Sequence, residues 1–72
     1  MQWLLIKVRK EHNETQKDLA ELLNISESAY GQKERGTKVF TGDEMFVIAD
    51  HYKVGLSEIF LPTKSTKRLL NI

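Results

Sequence analysis

Three times in 72 residues, at Thr15, Ser26 and Thr41, a hydroxyl side chain stands just ahead of a run whose apolar residues recur every three or four positions. This punctuation constrains the fold more than any other feature, because Ser and Thr accept hydrogen bonds from the free amides that open a helix. Asp18 follows Thr15 at the third helical position, where cap and helix dipole both favour an acid. Thr41 and Glu44 have the spacing of a capping box, with Phe40 and Met45 placed as its hydrophobic staple. Ile25 and Tyr30 repeat the staple around Ser26, and Val54 and Ile59 around Gly55. Stop signals alternate with the starts: Asn13, Asn24 and Gly36 suit the left-handed conformation that closes a helix. No sustained period-two alternation argues for a strand. The reading is an all-α domain of five short helices, at about 2–12, 16–23, 27–35, 42–52 and 56–61.

Helices this short are marginal alone and must be held by packing. At 72 residues there is room for one core, and with no cysteine neither a disulfide nor a thiolate-held metal can reinforce it. Residues 1–61 are therefore expected to form the domain. Residues 62–72, after the single proline Pro62, carry three cations, no acid and the apolar Leu69, Leu70 and Ile72. This tail is expected to be disordered, with docking on the domain or on a second subunit as the alternative. The apolar cluster Trp3 to Ile6 is too short for a signal peptide or a membrane span, so a cytoplasmic protein without membrane contact is expected. Trp3, Phe46 and Tyr52 read as packing residues.

Enzymatic chemistry finds little support. His12 and His51 are the only histidines and form no metal-binding spacing, there is no glycine-rich phosphate loop, and no hydroxyl has a base at a recognisable distance in sequence. No enzyme activity, metal or cofactor is expected. A formal charge of +1 gives no bulk argument for a nucleic-acid partner, since the six cations up to Arg35 are matched by six acids.

Local arrangement is more informative. The second and third helices are joined by the tight turn Leu23-Asn24-Ile25-Ser26, which makes a helix-turn-helix, a unit whose second helix can enter a DNA major groove. Periodicity alone does not establish DNA binding, because tight helical hairpins occur in many bundles. The stretch from Thr15 to Gly36 resembles the helix-turn-helix of the Cro and phage-repressor family, also called the xenobiotic-response-element family. The likeness is carried by Thr15-Gln16, Leu19-Ala20, Asn24, Ile25-Ser26 and Glu34-Arg35-Gly36, with Val54 to Phe60 similar to the family's last helix. Glu14 and Lys33 depart from it by standing at usually apolar positions; Lys33 is expected to lay its stem on the core and extend its ammonium to solvent.

The resemblance implies a lambda-repressor-like fold and a sequence-specific regulator of double-stranded DNA, of repressor type, acting as a homodimer on a pseudo-palindrome. It implies that Gln16 touches a phosphate and buttresses the third helix, and that Arg35, Thr37 and Lys38 meet the DNA backbone. Lys17, with Lys10, is a further candidate for the phosphate-facing surface, with a merely solvated lysine as the alternative. Arg9 and Glu34 match positions that pair across the first and third helices. Ser26, Glu27 and Ser28 open the helix that would enter the groove, although Ser26 also serves as a cap and Glu27 as a dipole-favouring acid. Ser28 and Gln32, four apart, share a face and are the expected base readers. Gly31, mid-helix, costs about 1 kcal/mol relative to alanine and reads as a tolerated defect ahead of a point of close approach to DNA. The last helix and Leu69 to Ile72 are the expected dimer surface. An antirepressor or antitoxin that uses the same scaffold to bind a protein is the rival reading.

Overall fold

A computed structural model describes residues 1–61. The described residues form five helices and no strand: α1 (Trp3–Glu11), α2 (Gln16–Leu23), α3 (Glu27–Arg35), α4 (Gly42–Tyr52) and α5 (Leu56–Ile59). The expected caps are in place. Thr15 and Asp18 exchange hydrogen bonds, as do Thr41 and Glu44, and the Ser26 hydroxyl accepts from the Ala29 amide. Asn13, Asn24 and Gly36 adopt positive φ at 56°, 58° and 88°. Lys53 does the same at φ 57°, ending α4 with a residue that carried no stop signal.

Both outer helices are shorter than expected. Gln2 lies outside α1 because its groups are engaged elsewhere: its amide donates to the Glu34 carbonyl at 2.8 Å, and its side-chain amide donates to the Leu61 carbonyl and accepts from the Leu61 amide. The same clasp, together with Pro62 following Leu61, stops α5 at Ile59, and Phe60 is extended. Residues 62–72 and the expectations for them lie outside the described residues.

The core contains Leu5, Leu19, Ala20, Tyr30, Phe40, Met45, Ile48, Ala49, Tyr52, Ile59 and Phe60. Phe40 lies between two other rings, edge-on to Tyr30 at 5.8 Å and to Phe60 at 5.4 Å. Such pairs contribute about 0.5–1.5 kcal/mol beyond their burial, and here they link Tyr30 of α3 to Phe60, just past α5. Tyr52 is buried as expected, but Trp3 and Phe46 are 58% and 64% exposed, which corrects their reading as packing residues. Each stands on a helix whose inward positions are already taken, by Leu5 on α1 and by Met45, Ile48 and Ala49 on α4.

Candidate functional site

The inward side of α3 is pinned by a buried carboxylate. Glu34 accepts from Arg9 Nε at 2.9 Å and Nη2 at 3.0 Å, from Gln16 Nε2 at 2.9 Å and from the Tyr30 hydroxyl at 2.8 Å. One side chain thus ties α1 and α2 to α3. Arg9 spends its remaining Nη1 on the Glu14 carbonyl, fastening the loop between α1 and α2. The pair is buried, so the small value of an exposed ion pair does not apply to it. Burial by itself would raise the Glu34 carboxyl, but the hydrogen bonds from Arg9, Gln16 and Tyr30 outweigh it and hold it below the ordinary glutamate range. Burial and then the bond to Glu34 push the Tyr30 phenol far above its usual value.

A second pin joins α3 to the start of α4. Lys33 Nζ donates to Glu44 Oε1, the same oxygen that accepts the Thr41 amide in the capping box. Both side chains are largely buried. The expectation that the Lys33 ammonium extends to solvent is therefore corrected: a capping carboxylate lies within reach, and pairing with it compensates the lost hydration. The Glu44 carboxyl is lowered for the same reason, with burial outweighed by the Lys33 and Thr41 hydrogen bonds. Two of the cations counted along the chain, Arg9 and Lys33, are consequently committed inside the protein.

The outward side differs. Gln16, Glu27, Ser28, Gly31 and Arg35 line a shallow hollow of about 410 Å³. Ser28 and Arg35 are exposed, and neither Arg35 nor Glu27 forms an ion pair among the described residues. Gln16 belongs to both sides, bonded to Glu34 and bordering the hollow. Ser26 lies at the start of α3 as its cap, with one hydroxyl lone pair used and the proton free. Gln32 is not on the hollow; it is half-buried and its Oε1 is enclosed without a partner among the described residues. Lys17 is exposed on the first turn of α2. Past Gly36, the Thr37 and Lys38 amides both donate to the Gln32 carbonyl, so these exposed residues curl over the end of α3.

Three features escaped the sequence reading. The Gln2 clasp and the contact of His51 Nε2 with the Glu14 carboxylate at 2.9 Å join residues 59 and 37 apart, a distance at which spacing carries no signal. Gly31 was visible in the sequence, yet its neighbours were not: a Cβ there would stand 3.2 Å from Arg35 Nη1 and 3.5 Å from Gln16 Oε1.

Among the described residues no group of three or more His, Cys, Asp or Glu could hold a metal ion, and no helix is long and apolar enough to cross a membrane. The model of a family described as helix-turn-helix matches residues 5–59. No curated protein and no solved structure matches the chain.

Proposed function

The chain belongs to the helix-turn-helix family of the Cro and phage-repressor type, whose members are DNA-binding transcription regulators, and from that premise we propose that it is a sequence-specific repressor that binds a pseudo-palindromic operator as a homodimer. The observation that carries this reading is the contrast across α3: the inward side is held to α1 and α2 through Glu34, while the outward side offers polar groups with no ion pair among the described residues. A rigid helix with unspent donors and acceptors is what base reading requires. Ser28 and Glu27 face the bases, with Gln32 at the edge of that face. Gln16, Lys17, Thr37 and Lys38 flank it and meet the phosphates.

One domain covers one half-site, so two copies bound about 34–36 Å apart supply the affinity and symmetry. The α5 end contributes Ile59 and Phe60 to its own core, with Leu56 packed half-buried against it, and the half-buried Leu61 beside them is the apolar side chain proposed to meet the partner copy. Selection of bound sites from a random duplex library tests the proposal: two inverted half-sites are expected, and no duplex preference at low salt would overturn it. In that event the rival reading, a protein-interaction module, stands, supported by the large apolar side chains Trp3 and Phe46 at the surface.

A further inference from the structure

Arg35 is the last residue of α3, a position from which a side chain would ordinarily meet the DNA backbone. Side chains on a helix lean toward its N-terminus, however, and Arg35 follows that direction for a full turn. Its guanidinium lies over Gly31, with Nη1 3.2 Å from where a Cβ would be. It thereby borders the hollow shared with Gln16, Glu27 and Ser28, residues of the opening turns of α2 and α3. We propose that Arg35 is a base-reading side chain for guanine, admitted to the centre of the α3 face by the missing side chain at Gly31. This inference rests on the DNA-binding reading above and assigns one contact within it.

Two further observations favour a base edge over a phosphate. Arg35 makes no ion pair among the described residues, so its donors are available in the fork that matches O6 and N7 of guanine. Glu27 lines the same hollow, and a carboxylate beside the guanidinium repels a phosphate while it can accept from the amino group of cytosine. A donor fork and an acceptor in one hollow complement the major-groove edge of G·C pairs. Gly31 then has a purpose beyond tolerance: its lack of a side chain leaves the room in which the guanidinium lies.

Site selection from a random duplex library is the test, run on the full chain and on Gly31→Ala, Arg35→Ala and Lys38→Ala, each verified as folded by its melting curve. Alanine is the better helix former, and the atoms nearest the new Cβ are the ends of long side chains, so Gly31→Ala is expected to fold. The native chain should prefer guanine at one position of each half-site by roughly ten- to a hundredfold. Arg35→Ala should lose that preference and leave the slope of log affinity against log salt unchanged. Gly31→Ala, with its guanidinium displaced, should weaken the same preference. Lys38→Ala should keep it and flatten the slope by about one. An unchanged consensus in Arg35→Ala with a slope flattened by about one would make Arg35 a phosphate contact and overturn the inference alone. An unchanged guanine preference in Gly31→Ala would overturn the part assigned to Gly31. No selection by the native chain would remove the DNA-binding reading itself, and the inference with it.

Discussion

The two sides of α3 are both polar, yet they are put to opposite uses. On the inward side Tyr30 and Glu34 are enclosed and every Glu34 oxygen is occupied; on the outward side Glu27, Ser28 and Arg35 are exposed and without ion pairs among the described residues. Residue type does not separate them, since each side carries a glutamate. What separates them is whether donors from other helices converge. Arg9 from α1 and Gln16 from α2 reach Glu34, so that carboxylate positions the helix, whereas Glu27 is left to solvent or a partner.

Breaking the inward side should have the largest effect. Glu34→Ala leaves the Arg9 guanidinium enclosed without its counter-charge and should cost about 3–5 kcal/mol of stability in chemical denaturation, most of what so small a domain possesses. Acid should act on the same place. Because the folded Glu34 carboxyl lies below its unfolded value, its stabilisation is complete above about pH 4.3, the unfolded glutamate value, and is lost as pH falls through the lowered folded one. Glu44, lowered by Lys33 and Thr41 against its burial, adds to the loss with the same sign. Unfolding midpoints measured from pH 7 to 2 should therefore fall with acid, and Glu34→Gln should show a shallower dependence at lower overall stability. Tyr30→Phe removes one hydrogen bond to a charged acceptor and should cost about 1.5–3 kcal/mol with no change in the DNA sequence selected. At the small end, Ser28→Ala on the outward side should shift stability by no more than about 0.5 kcal/mol, while specificity relaxes at one operator position. A Ser28→Ala variant as destabilised as Tyr30→Phe would mean that the two sides are not separable.

Local chemistry made much of the fold legible. Caps, staples and the left-handed Asn24 and Gly36 located α2 and α3 to the residue, and the Thr41 box located the start of α4, because each signal acts within five positions of itself. The Arg9–Glu34 pairing was readable from the family resemblance, but its burial was not, since burial depends on which helices close over it. Lys33 was misjudged for the same reason: its partner Glu44 looked fully employed as a cap. Lys53 was invisible as a helix end because lysine has no preference for positive φ, and tertiary packing there overrides the propensity.

The sequence by itself determined five short helices, their order and the tight turn that makes the helix-turn-helix, because all of these rest on short-range hydrogen bonding and periodicity; the family was legible too, through the likeness of its motif residues rather than through periodicity. Only the tertiary structure decided that Arg9 and Lys33 are committed to internal carboxylates, that Gln2 is clasped to Leu61, and that Arg35 lies over Gly31 on the open face. The first two depend on charges and amides brought together from distant positions, where the cost of burying a polar group determines where each side chain goes; the third is a contact across one helical turn, on a face of α3 that the other helices leave open.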